Sequence, residues 1–216
     1  LCIGLLLLNC SKFKPWSLLL LVALLIVPFV NPQPLYTHVS LFSYATSPES
    51  FKQLSQLLSR SSYAYYKEGA YATVTVFEYP PGIFSLNIDG RSDASTAPTD
   101  MRTQLLLGYL PFIFLPNASR VLNIGLGAGF TLAAIEKVTV VKEIDVLEIE
   151  KAVIEAHEKV FSKYTGMVLD DARVNLVVND ARNFLQFTDK KYDVITAEPS
   201  HPLTSSSSNL FTREFF

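Results

Sequence analysis

Val121-Leu122-Asn123-Ile124-Gly125-Leu126-Gly127-Ala128-Gly129 reads as a short apolar strand that runs into a glycine loop, and the residues after it open a helix over 131–137. A strand, a glycine turn and a helix start bring backbone N–H groups and the positive end of a helix to one point, where a polar ligand can approach the main chain. Working outward, the pattern repeats. Residues 145–149 form a second apolar strand and 152–161 an amphipathic helix; 174–178 form a third strand, 181–187 a short helix and 192–197 a fourth strand. This alternation predicts a parallel sheet with right-handed crossovers, in the order third, second, first, fourth. Ligands then belong at the carboxyl ends of the strands.

Three groups stand at those ends. The glycine spacing is G-x-G-x-G, with Phe130 where a dinucleotide fingerprint has its third glycine, and this fits an S-adenosylmethionine type of nucleoside site better than NAD. Glu148 closes the second strand after Val146-Leu147, where a carboxylate can accept hydrogen bonds from both ribose hydroxyls. Asp180 follows the third strand; it can take the adenine amino group, cap the helix that begins at Ala181, or do both. Gly125, Gly127, Gly129, Glu148, Asp180 and Ala181 are the expected nucleoside contacts.

Upstream the period changes to two. Residues 71–79 and 83–88 alternate around the turn Pro80-Pro81-Gly82 and predict a β-hairpin within a small antiparallel sheet, ending at Asp89-Gly90. Asp100 is a candidate cap for a helix carrying Leu105, Leu106, Tyr109 and Leu110, which Pro111 and Pro116 would kink or end. Residues 49–59 show helical spacing.

Composition narrows the classes. Of 216 residues, 49% are apolar and 18% charged, and the low charge is local, because residues 1–34 hold only Lys12 and Lys14. Residues 1–8 and 16–30 read as truncated membrane spans; a cleaved secretory signal and a lipoprotein anchor at Cys10 fit less well. The expected location is therefore integral to a bacterial inner membrane, with the membrane as a partner and the side of the body open. A net charge of −2 without a basic cluster argues against nucleic acid. Both cysteines lie in the leader, and His38, His157 and His201 are scattered, so no metal site is expected. The chain reads as a fragment, organised as 1–34 membrane segments, 35–62 a helical linker, 63–99 a β-hairpin domain and 100–216 an incomplete α/β domain.

The body from 65 to 216 resembles the spermidine synthase, or polyamine aminopropyltransferase, family, particularly its membrane-fused bacterial members. The resemblance rests on Tyr66-Lys67-Glu68-Gly69, Leu86-Asn87-Ile88-Asp89-Gly90, Leu110-Pro111, the glycine stretch, Val146-Leu147-Glu148-Ile149-Glu150, Asn179-Asp180-Ala181-Arg182, and Tyr192-Asp193-Val194-Ile195 with Asn209-Leu210-Phe211-Thr212. It implies a small antiparallel β-domain followed by a Rossmann-like, class I methyltransferase-like α/β domain. It also implies aminopropyl transfer from decarboxylated S-adenosylmethionine to an amine substrate. A homodimer is one assembly to test.

A protonated amine must lose a proton before it attacks, so such a site needs a base. In Glu198-Pro199-Ser200-His201-Pro202, Glu198 matches the first acid of the family's Asp-Ser-Ser-Asp-Pro loop, and His201 stands where the catalytic aspartate would be. The resemblance puts acidic residues such as Asp89, Asp93 and Asp100 on the amine side. Gln104 joins them from Thr103-Gln104-Leu105, which replaces the family's Tyr-His-Glu signature. Two other functions fit the same motifs: an S-adenosylmethionine-dependent methyltransferase, and a non-catalytic nucleoside- or polyamine-sensing domain.

Overall fold

The computed structural model describes residues 60–197 together with Lys52, Gln56, Leu210, Thr212 and Arg213. The apolar segment 1–34, the expected helix at 49–59 apart from the helical Lys52 and Gln56, and the residues Glu198 and His201 lie outside the described residues. No helix among the described residues is long and apolar enough to cross a membrane.

The N-terminal half is an antiparallel meander: β1 (Ser62–Glu68), β2 (Thr73–Tyr79), β3 (Ile83–Ile88) and β4 (Arg91–Ser95), paired in chain order. The expected hairpin is β2–β3, in which Val76 faces Leu86 and Phe77 faces Ser85. β2 is central, and Val74, Thr75, Val76 and Phe77 are all buried, so it is covered on both faces. At the β3–β4 turn Asp89 and Gly90 both adopt positive φ, 50° and 78°. This is the backbone that a two-residue hairpin turn demands, and Asp or Asn followed by Gly tolerates it best. Asp89 also accepts the Thr73 N–H at 2.9 Å, which ties the turn back to β2.

α1 (Pro98–Phe114) follows. Its start differs from expectation, because Pro98 opens the helix and Asp100 lies inside the first turn, where its carboxylate accepts from Ser95 Oγ at 2.8 Å. Its end falls at Phe114, past Pro111 and just before Pro116. Pro111 removes one ladder bond but does not stop the helix, which resumes with Leu115 N–H donating to Pro111 C=O at 2.9 Å. Gly108 lets α1 approach α2 (Phe130–Glu136) closely, since a Cβ there would overlap Ala134 and the Thr131 carbonyl.

The second sheet is parallel: β5 (Arg120–Ile124), β6 (Glu143–Glu148), β7 (Val174–Val178) and β8 (Val194–Ala197) in the order β7-β6-β5-β8, the order expected from the alternation. Strand residues divide by parity. Val121, Ile144 and Val146 face the large core, which takes in Val74, Val76 and Leu86 of the meander. Leu122, Ile124 and Leu147 face Ala181 and Phe184 on the other side. α3 (Lys151–Ala156) continues through a π turn at His157–Phe161 into α4 (Ser162–Thr165), which Gly166 ends in the left-handed conformation at φ 70°. α3 packs against β1 and β2 as well as β6, so it joins the two sheets into one core. α5 (Ala181–Phe187) covers the opposite face.

Asp145 on β6 is fully buried. Its carboxylate accepts from Lys190 Nζ, from Tyr192 OH at 2.6 Å and from Asn175 Nδ2 at 2.6 Å. Burial alone would raise its pKa, and these bonds outweigh burial and hold it below the usual carboxylate range. Asp145→Ala is expected to cost about 2 kcal/mol in urea unfolding at pH 7, because three donors lose their acceptor and Lys190 is partly solvated. A carboxyl held low in the folded state stabilises above its unfolded pKa and stops doing so as pH falls through the folded one. The wild type should therefore lose this contribution below about pH 4, and the variant should show no such loss.

Candidate functional site

A cleft opens where the carboxyl ends of β5 and β6 meet the meander. Its floor is the loop from Asn123 to Gly127 with Glu148, and its opposite wall includes Tyr71, Asp93 and Gln104. Gly125 and Gly127 line it at φ 85° and 53°, and a Cβ on either would meet open space. Their requirement is therefore conformational. Gly129, also at positive φ, is different: it does not line the cleft, and a Cβ there would strike the ring of His157. The buried Asn123 side chain holds the loop's shape, with Nδ2 donating to Gly125 C=O at 2.7 Å and Oδ1 accepting from Thr196 Oγ1 at 2.8 Å.

Glu148 is 8% exposed, and each carboxylate oxygen accepts one backbone N–H. Oε2 takes Leu126 and Oε1 takes Glu150, both at 2.9 Å. Burial nonetheless pushes its carboxyl above the ordinary value, against those bonds. A carboxylate offers about four lone-pair positions, so this one retains acceptor capacity toward the cleft.

Glu150 caps α3 by accepting from Ala152 N–H at 2.9 Å, and its other oxygen accepts from Tyr71 N–H at 2.7 Å and Ala72 N–H at 3.3 Å. Burial alone would raise its carboxyl; the amides of Ala152, Tyr71, Ala72 and Ala70 outweigh that and hold it low.

Among the described residues, the buried side-chain atoms without a hydrogen bond include one on Gln104 and one on His157. Gln104 is 4% exposed, lines the cleft and leaves its amide Nε2 without a hydrogen bond. His157 is 1% exposed; its Nδ1 lies 3.1 Å from Ala128 C=O and its Nε2 has no partner. Burial lowers its pKa, so the ring is neutral at pH 7 and donates through Nδ1–H. Among the described residues no cluster of metal-ligating side chains occurs.

The spermine/spermidine synthase domain matches residues 101–216. The chain belongs to that family.

The polyamine aminopropyltransferase of Clostridium botulinum (strain Alaska E43) is 32% identical over 111 residues, 51% of this chain and 38% of the relative. That of Methanocaldococcus jannaschii is 34% identical over 111 residues, 51% and 37%. The crystal structure of a spermidine synthase in complex with the transition-state analogue AdoDATO superposes with a TM-score of 0.63 at 26% identity, over 71% of this chain and 52% of that one. The chain thus spans less than two fifths of the length of these curated relatives. The expected integral-membrane location is corrected: the fold is that of the spermidine synthase structure, and among the described residues no helix can cross a bilayer.

Against the synthase-family frame, the expected residues separate. Gly125, Gly127, Glu148 and Gln104 come together in the cleft. Asp180 caps α5 through Asn183 N–H at 3.0 Å, and neither it nor Ala181 lines the cleft. Asp89 serves the hairpin turn and Asp100 serves Ser95; of the three expected amine-side acids, only Asp93 borders the cleft. In sequence Glu150 is read only as part of the Val146–Glu150 motif, and its cap is missed because glutamate is not among the residues that usually cap a helix. The glycines themselves make a testable pair. Gly127→Ala should cost about 1 kcal/mol in urea unfolding, from left-handed strain alone. Gly129→Ala should cost about 3 kcal/mol, because overlap with His157 adds to that strain.

Proposed function

We propose that the chain is an aminopropyltransferase of the spermidine synthase type, acting on decarboxylated S-adenosylmethionine and a polyamine-type amine. The observation that carries this reading is Glu148: a buried carboxylate at the end of β6, tied to the Leu126 N–H of the glycine loop and retaining acceptor capacity toward the cleft. A ribose diol fits that capacity, since its two hydroxyls are donors and the adjacent loop lets a nucleoside approach the main chain. The relatives named polyamine aminopropyltransferase and the structural neighbour named spermidine synthase support the same substrates.

In the reaction, the amine nitrogen attacks the carbon attached to the sulfonium. The new C–N bond forms as the C–S bond breaks, and the electron pair stays on sulfur, leaving 5′-methylthioadenosine. The attacking amine has a pKa near that of lysine, about 10.4, and must first lose its proton. We assign that proton to His201, with Glu198 assisting, by resemblance of their loop sequence to the family's. Asp93 is the carboxylate assigned to the cationic end of the amine, and residues 63–99 and 100–216 are the two domains that enclose the cleft.

A second reading is favoured by one observation. The unpartnered amide of Gln104 could bond the carboxylate of intact S-adenosylmethionine, which a methyltransferase would use as donor.

Isothermal titration of the full chain with 5′-methylthioadenosine, decarboxylated S-adenosylmethionine and S-adenosylmethionine tests both. Binding of the first two, with the intact donor at least tenfold weaker, is expected; no binding of the first two at millimolar concentration contradicts the proposal. Glu148→Gln should weaken 5′-methylthioadenosine binding at least tenfold. Because the Glu148 carboxyl is raised, wild-type affinity should fall on acidification at a higher pH than an ordinary glutamate would give, and the variant should lose that dependence.

A further inference from the structure

The turn that joins β1 to β2 borders the cleft through Tyr71 and Ala72, and one carboxylate from the other sheet holds it. Glu150 Oε2 accepts from Tyr71 N–H at 2.7 Å and Ala72 N–H at 3.3 Å, while Oε1 caps α3. Gly69 makes this approach feasible, because a Cβ there would overlap the Glu150 carboxylate itself. The chain of bonds continues inward. Glu150 N–H donates to Glu148 Oε1, and Glu148 Oε2 accepts from Leu126 of the glycine loop. A single relay thus runs from the glycine loop through two glutamates to the wall that carries Tyr71, which is 64% exposed at the cleft's edge.

The geometry points to Glu150 as a positioning residue that sets the meander wall of the cleft against the nucleoside floor. The inference rests on the nucleoside reading of Glu148 given above. A helix cap alone would explain the bond to Ala152 and leave the bonds to Tyr71 and Ala72, and the bare Gly69, without purpose. The docking of the meander as a whole does not depend on Glu150. Glu155 separately accepts from Tyr65 OH at 3.1 Å and pairs with Lys67, and Lys159 lies over the Tyr65 ring. Loss of the Glu150 bonds therefore frees the turn at the cleft while the two sheets stay together.

Two substitutions reach the same contact from opposite sides. Glu150→Ser keeps a side-chain cap for α3 but cannot reach the turn. Gly69→Ala displaces the carboxylate without changing the cap residue. The full chain is titrated with 5′-methylthioadenosine well below the melting temperature, with circular dichroism confirming the fold. Expected is a tenfold or greater loss of affinity in each single variant, no further loss in the double variant, and recovery to within threefold of wild type in Glu150→Asp, which restores a carboxylate. Non-additivity identifies one shared interaction. If Glu150→Ser unfolds, Gly69→Ala alone decides. Wild-type binding with both single variants within twofold of it overturns the inference and leaves the nucleoside reading standing, as does a Glu150→Asp variant as weak as Glu150→Ser. Failure of the wild type to bind overturns the nucleoside reading, and the inference with it.

Discussion

A carboxylate without solvent around it must be given hydrogen bonds, and the rest of this site is arranged around meeting that demand at Glu148. Removing such a group from water costs several kcal/mol even after relaxation. Two backbone donors to a charged acceptor return about 1.5–3 kcal/mol each. One donor, Leu126 N–H, belongs to the glycine loop, and the other, Glu150 N–H, belongs to the start of α3. Satisfying Glu148 therefore fixes the loop that follows β5 and the helix that follows β6 in a single arrangement. The remaining tension shows in its raised carboxyl, which a ligand offering hydroxyl donors would relieve.

The second layer of the structure follows from what α3 must do. It is buried against β6 on one side and the meander on the other, with Ala152, Val153, Ile154 and Ala156 all covered. A helix packed between two sheets can present a charged residue only at its ends. Its first end carries Glu150, which reaches the β1–β2 turn, and its later turns carry Glu155, which reaches β1. The cleft lies beside the first of these ends, where the carboxyl ends of β5 and β6 meet the meander.

Much of this could be read from residue order. The strand at Val174–Val178, the helix at Ala181–Phe187 and the parallel order β7-β6-β5-β8 follow from local periodicity and crossover handedness. The glycine loop and Glu148 follow from their place at strand ends. What escaped reading depended on which of several available partners each side chain takes. Asp100 looked like a cap because nothing local reveals that Ser95 would claim it while Pro98 opened the helix. Pro111 and Pro116 were expected to kink or end the helix, and it runs through the first and ends before the second. Asp89 and Asp180 were each open to a local role beside a ligand role, and the structure shows the local one, a turn for Asp89 and a helix cap for Asp180. The role of Glu150 needs the β1–β2 turn brought beside it, and no spacing announces that.

The central claim is that the floor formed by Gly125, Gly127 and Glu148 holds a nucleoside by its ribose. A crystal structure of the chain grown with 5′-methylthioadenosine tests it most directly. The ribose hydroxyls are expected within hydrogen-bonding distance of the Glu148 carboxylate, with the thioether directed toward Gln104 and Asp93. A nucleoside bound elsewhere, or bound in the cleft with its ribose away from Glu148, would contradict it.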